Sequence, residues 1–363
     1  MNPMPIEAQA RAAVTSTRRM VPGEGLAVLV NANAKRGGRR IAVQIARILP
    51  GAKVRLTKTM DEVEAWLRTL LPAQPRVIFA AGGDGTAVAL VNALARVVPK
   101  DMPLPVMGVL KLGTGNAWAN AVGAPKLGVS LSILRDLGER EDGQDGVRGP
   151  LPLRRFGLVD CDGTLTHFAG AGWDAEILND YKEQLAASKG PPRFFAKSVS
   201  GYVSAMLLRT APKSIIFGRA HVLIENLGDE VYTVDESGAL RRIEGARYGT
   251  VLWDGMMSVT GAATCPEFGY HFRAYPFAER FLGMLNVRVY DRSTLGGITS
   301  IPKLWTGAHP LRGMHDWFTK AVRFTFSRPM ALEIGGDALG PRRSVEMRIS
   351  PREVQLLDWR GLY

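Results

Sequence analysis

Residues Phe79–Asn92 read FAAGGDGTAVALVN. The stretch opens at the end of an apolar run, Arg76–Ala80, that has the length and branching of a buried strand. It passes through Gly82, Gly83, Asp84, Gly85 and Thr86, then continues with Val88, Val91 and Asn92 at helical spacing. A strand, a glycine turn and a helix start together form an anion cradle. Glycine lets the main chain approach closely, and a helix N-terminus offers free N–H groups and partial positive charge. Asp84 is the odd member, because a carboxylate beside phosphates is repelled unless it holds a cation or a proton. Its simpler reading is an N-cap on a strand–helix turn.

Upstream, Leu26–Val30 is a short apolar strand followed by a polar loop, Asn31 to Gly38, that contains Asn33, Lys35, Arg36 and Gly37. Ile41, Ile45, Ile48 and Leu49 make one apolar face over a helix at Arg40–Leu49. Lys53–Thr57 reads as a strand and Met60–Leu71 as a helix. After the opening motif, Pro105–Leu110 reads as a fourth strand that runs into Leu112, Gly113, Thr114, Gly115 and Asn116. Strands alternating with helices predict a Rossmann-like parallel sheet covered on both faces. In such sheets ligands bind beyond the carboxyl ends of the strands, where all three polar loops leave. The loops therefore predict a nucleotide site built from Asn31, Asn33, Gly37, Gly82, Gly83, Gly85, Thr86, Gly113, Thr114, Gly115 and Asn116.

The composition changes between Gly138 and Arg155, and a linker is placed at 141–155. Residues 25–140 would be the nucleotide domain and 1–24 a flexible arm. Beyond the linker, Phe156–Val159, Ala220–Glu225, Thr250–Leu252, Met257–Thr260 and Leu285–Tyr290 read as short strands, with one helical stretch at Phe194–Leu208. This predicts a mainly antiparallel β-sandwich domain at 156–350, with a cleft between the two domains. Val322–Phe326, Ala331–Ile334 and Ser344–Ile349 continue in strands. The segment 351–363 carries Val354–Leu357, which is placed back against the first domain.

The chain has 363 residues, 46% of them hydrophobic, enough for one large core and room for two. No apolar run reaches the roughly 18–20 residues of a membrane span, and the first residues lack a signal-peptide core. Cys161 and Cys265 stand far apart without metal-ligand spacing, which suits a reducing cytoplasm. A net charge of +12 favours polyanionic surroundings. Scattered cations without a binding motif argue against nucleic acid.

Taken together and in order, the GGDGT and LGTGN loops and the looser Asn31–Gly37 loop resemble the diacylglycerol kinase catalytic-domain family, which includes soluble bacterial lipid kinases and sphingosine and ceramide kinases. Gly170–Ala175 is similar to that family's G-x-G-F-D-A strand, and Ile334–Gly340 stands in place of its Val-Asp-Gly-Glu-x-x-Gly motif. The resemblance spans about residues 26–350. It implies a two-domain, ATP-dependent kinase that uses magnesium and transfers the γ-phosphate to a lipid hydroxyl, either diacylglycerol-like or sphingoid-like. It also implies a cytoplasmic protein in peripheral contact with anionic membranes, and it leaves room for a homodimer. NAD phosphorylation is a less favoured alternative, because the other motifs expected of NAD kinases are not evident.

The acidic partners differ from the family pattern. Ala89 and Ala117 stand where many members have acids, and Gly335 stands at the place of the general base. That leaves Asp84 and Asp337 as the motif carboxylates, shared between catalysis and metal binding. These gaps support the alternative of a binding protein with weak or lost kinase activity. Asp174 is a further acid, or a turn residue. Lys35, Arg36, Arg39 and Arg40 could neutralise phosphates or form a solvated basic face. The five histidines show no ligand spacing. The aromatic stretch Cys265–Ala278 is either core or the border of a lipid groove.

Overall fold

The computed structural model describes residues 21–32, 37–113, 115–140, 150–172, 175–176, 218–269 and 271–362. Strand β1, Leu26–Asn31, buries all of its apolar residues, as a strand covered on both faces must. Gly37, at φ 76°, turns the chain into α1, Gly38–Ile48, which buries Ile41 and Ile45. Strand β2 is Lys53–Thr57. Helix α2, Met60–Leu70, begins on a capped turn. The Thr59 hydroxyl accepts from the Glu62 N–H at 3.3 Å, and the Lys58 N–H donates to the Glu62 carboxylate at 2.7 Å. Then follow β3 (Val77–Gly82), α3 (Asp84–Val97), β4 (Met107–Lys111), α4 (Ala117–Ala121) and α5 (Leu127–Arg140). The order β2-β1-β3-β4 is parallel throughout, as the alternation of strands and helices predicts.

The second half supplies β5 (Leu153–Cys161), β6 (Thr164–Thr166), β7 (Phe168–Gly172), β8 (Ala220–Asn226), β9 (Tyr232–Val234), β10 (Leu240–Arg242), β11 (Val251–Met257), β12 (Val259–Ala263) and β13 (Leu285–Tyr290). Helix α6 (Thr294–Thr306) comes next, before β14 (Met314–Thr319), β15 (Ala321–Ile334) and β16 (Asp337–Leu357). Apart from one parallel pairing, Leu356 with Met107, these strands pair antiparallel, so the fold class is a parallel α/β sheet followed by antiparallel layers. Each half has its own core. One is built around β1, β3 and α3, the other around β7, β8, β13 and β15.

Three features differ from the sequence reading. The late strands read as separate are two long ones, β15 and β16. Pro329 and Pro351 fall where the pairing register shifts, so each bends its strand instead of ending it. At its bend β15 changes partner, from β8 at Val322–Phe326 to β7 at Leu332–Ile334. β16 runs unbroken through 350 and reaches the parallel sheet, where Leu356 pairs with Met107, so all the strands join one 16-stranded hydrogen-bonded network. Helix α6 was not expected, because Gly296, Gly297 and Pro302 masked its spacing. The helix read at Phe194–Leu208 lies outside the described residues.

Candidate functional site

The carboxyl ends of β1, β3 and β4 release the three polar loops side by side. Asn31 closes β1, and its side-chain N–H donates to the Thr86 hydroxyl at 3.3 Å, tying the first loop to the second. The second and third loops touch through bare main chain. A Cβ on Gly113 would stand 2.2 Å from the Gly83 Cα, and the Gly82 carbonyl accepts from the N–H groups of Leu112 and Gly113 at 3.1 and 3.0 Å. A Cβ on Gly82 would strike the Thr86 hydroxyl at 2.1 Å. Asn116, at φ 61°, folds its amide back on Gly113, accepting from its N–H at 3.1 Å and donating to its carbonyl at 2.7 Å. These glycines are set by loop-to-loop packing, while Gly85 is exposed at the start of α3.

Asp84 is the first residue of α3, and Gly83 takes the N-cap position, so the N-cap reading of Asp84 is wrong for its own helix. Its carboxylate instead caps the next one. Oδ1 accepts from the Ala117 N–H of α4 at 2.6 Å, and Oδ2 lies 2.4 Å from where a Cβ on Gly115 would be. Burial pushes its pKa up to about 7 against the pull of hydrogen bonds from Ala117, Asn116 and its own N–H, with Glu267 adding like-charge repulsion.

Asp337 arrives from the second half of the chain. It opens β16 directly after a two-glycine hairpin, Gly335 and Gly336 at φ 57° and 87°, closed by the Ile334–Asp337 pair. Its Oδ2 stands 3.7 Å from where a Cβ on Gly85 would be. The structure thus brings Asp337 to the GGDGT turn, beside the residue next to Asp84. A side chain at 335 has no room, because its Cβ would lie 2.6 Å from the Thr166 hydroxyl and 3.0 Å from Val88. Asn33, Lys35, Arg36, Thr114 and Asp174 lie outside the described residues.

The sequence reading missed two things. Residues Pro266–Gly269 brace the third loop. A Cβ on Gly269 would stand 2.6 Å from the Gly115 Cα, and the same segment brings Glu267 into the field of Asp84. The stretch Cys265–Ala278 is therefore partly site wall and partly core, with Tyr275, Phe277 and Ala278 buried. Asn92 of α3 joins the two halves. Its amide donates to the Leu165 carbonyl at 2.8 Å and accepts from the Leu165 N–H at 2.9 Å. The composition of Asn92 gave no cue to this, since its partner lies 73 residues away.

The diacylglycerol kinase catalytic domain family model matches residues 25–141. Over these residues, less than half of the chain, the sequence is similar to that family. The matched domain contains β1–β4 and all three loops. No curated protein matches the chain. Among solved structures, the chain is similar to a diacylglycerol kinase from Bacillus anthracis str. Sterne, at 11% identity and TM-score 0.55, over 94% of this chain and 98% of that one. A second structure from the same organism, a candidate diacylglycerol kinase, gives 11% identity and TM-score 0.57 over 94% and 99% of the two chains. At these identities the likeness extends the shared fold beyond the catalytic domain and carries no substrate. Among the described residues no helix is long and apolar enough to cross a membrane.

Proposed function

We propose that the chain is an ATP-dependent lipid kinase that transfers the γ-phosphoryl group to the hydroxyl of a diacylglycerol-like or sphingoid-like lipid. The observation that carries this reading is the approach of Asp337 to Gly85 at the open start of α3. There, a carboxylate from the other half of the chain stands beside Gly85 in the first turn of the helix. Phosphoryl transfer needs mainly positioning and charge neutralisation. The glycine loops seat the phosphates on main-chain N–H groups, and Asn31, Thr86 and Asn116 keep the loops in register. Asp337 takes the proton of the acceptor hydroxyl as its oxygen bonds to phosphorus and the bond to the leaving ADP oxygen breaks.

No three acidic, histidine or cysteine side chains group as a metal site among the described residues. Asp84 and Asp337 flank Gly85, and two carboxylates with phosphate oxygens and water suit magnesium. Bound there with the nucleotide, the ion would neutralise phosphate charge. In this reading the protein works in the cytoplasm, in peripheral contact with membrane lipid.

The test is transfer of label from γ-labelled ATP, with magnesium, to diacylglycerol, sphingosine and ceramide. Transfer is expected to fall on the order of 100-fold or more in Asp84→Asn. No lipid labelled above the level of that variant would remove the reading. A second reading, nucleotide or lipid binding with little turnover, draws on the commitment of the Asp84 carboxylate to Ala117 and on the side-chain-free turn at Gly335. Nucleotide binding without transfer would favour it.

A further inference from the structure

Three residues of α3 meet the second half of the chain along one seam. Gly85, Val88 and Asn92 follow at i, i+3 and i+7, the spacing that puts them on one helix face. Gly85 stands beside the Asp337 carboxylate, whose Oδ2 is 3.7 Å from where a Cβ on Gly85 would be. Val88 packs under the turn before Asp337, with a methyl carbon 3.0 Å from where a Cβ on Gly335 would be. Asn92 makes directional bonds. Its amide donates to the Leu165 carbonyl at 2.8 Å and accepts from the Leu165 N–H at 2.9 Å, as a neighbouring strand would. The amide also donates to the Val88 carbonyl at 2.8 Å, which fixes the side chain to its own helix.

The path from Leu165 to Asp337 is short. Thr166 follows Leu165 in β6, is fully buried, and donates through its hydroxyl to the Phe168 carbonyl at 3.2 Å. The same carbonyl accepts from the Gly335 N–H at 3.0 Å. Gly335 opens the turn that the Ile334–Asp337 pair closes. Asn92, β6, Phe168, the glycine turn, Asp337 and the first two turns of α3 therefore form a closed circuit. Its soft part is the turn, two glycines in left-handed conformations. Asn92 supplies the hydrogen bonds that hold the α3 side of this circuit to the β6 side. It lies seven residues beyond Gly85, about 10 Å along the helix, so its side chain stands away from a phosphate seated at the first turn.

We propose that Asn92 is a positioning residue for phosphoryl transfer: its amide sets the approach of Asp337 to the first turn of α3 without touching nucleotide or acceptor. Without the amide, the hairpin that carries Asp337 drifts from α3, while the phosphate loops stay in place because they pack on one another. A displacement on the order of 1 Å at a reacting group costs about 100-fold in rate. The kinetic consequence rests on the kinase reading, whereas the mobility of the hairpin is read without turnover, so the two fail separately.

The experiment is hydrogen–deuterium exchange on the full chain, together with calorimetric ATP binding and lipid transfer. The variants are Asn92→Leu, similar in volume but without the amide, Asn92→Ala, and Arg352→Ala, which loosens the far end of α3. In Asn92→Leu, exchange at residues 164–166 and 334–340 should rise roughly tenfold while ATP affinity is unchanged. Its kcat should fall roughly 10- to 100-fold at unchanged KM for ATP. Asn92→Ala should repeat both results, and thermal melts confirm folding. Arg352→Ala should lose stability yet keep the parent's hairpin exchange and kcat. Unchanged exchange at 334–340 in a folded Asn92 variant, a parallel loss of ATP affinity, or equal loosening of the hairpin in Arg352→Ala would overturn the proposal. A parent chain that phosphorylates no lipid would remove the kinase reading, and the exchange pattern would still decide whether Asn92 holds the hairpin.

Discussion

Asp84 keeps its proton to about pH 7 in the folded chain, whereas the unfolded chain releases it near 3.8. The folded state therefore holds more protons across that interval, and this group's contribution makes stability fall as pH rises from about 4 to about 7, then level off. His167 acts in the opposite sense. It is fully buried between Trp118 and Phe168, neither ring nitrogen has a hydrogen-bond partner among the described residues, and burial lowers its pKa from 6.5 to about 3. The unfolded chain takes up that proton first, so its contribution is lost as pH falls from about 6.5 to about 3. Melts across this range should show both signs. Relative to the parent, Asp84→Asn gains stability steadily between about pH 4 and 7, and His167→Leu gains as pH falls below about 6.5. A variant that merely offsets the parent curve by a constant would refute the assignment. At this scale Asp84 was legible as unusual because its neighbours are all small. Its true hydrogen-bond partner was not legible, since Ala117 lies 33 residues on and offers only a main-chain N–H.

Elements are held by side chains that reach across the sequence. Arg352 of β16 donates to the carbonyls of Ala95, Val98 and Pro99, satisfying the open C-terminal end of α3. Arg352→Ala is expected to cost about 1–3 kcal/mol in denaturant unfolding, with Arg352→Lys rescuing only part of it. The β15–β16 turn makes a related point about the missing acid. Gly335→Asp puts back the family's residue type, but its Cβ meets Thr166 at 2.6 Å and Val88 at 3.0 Å. The variant should lose about 1–3 kcal/mol in stability without gaining phosphoryl transfer. A stable, more active Gly335→Asp would contradict this. The strands and helices of the first half were readable because each is a strongly periodic run punctuated by glycine and proline. In the second half, proline at a bulge looks the same in sequence as proline at a strand end, so β15 and β16 were read in pieces.

The whole molecule is tied together by its last strand. Val354, Leu356, Leu357 and Trp359 are buried in the first core, although the same strand begins at the hairpin that carries Asp337. The sequence places Val354–Leu357 against the first domain but does not show that this segment and the hairpin belong to one strand, because Pro351 looks like a strand end. A chain ended at Ser350 should lose the single cooperative transition expected of the parent, as followed by circular dichroism. The same continuity fixes Asp337 relative to Gly85, on which the functional account rests. Among the described residues a methyl group at Gly85 meets only the Asp337 carboxylate, at 3.7 Å, so Gly85→Ala should fold normally and yet fill the space where a phosphate would sit. Calorimetric titration with magnesium and ATP is the most direct test. The account predicts binding by the parent chain and at least a roughly tenfold loss in Gly85→Ala at unchanged melting temperature. Equal binding by the two proteins would contradict it.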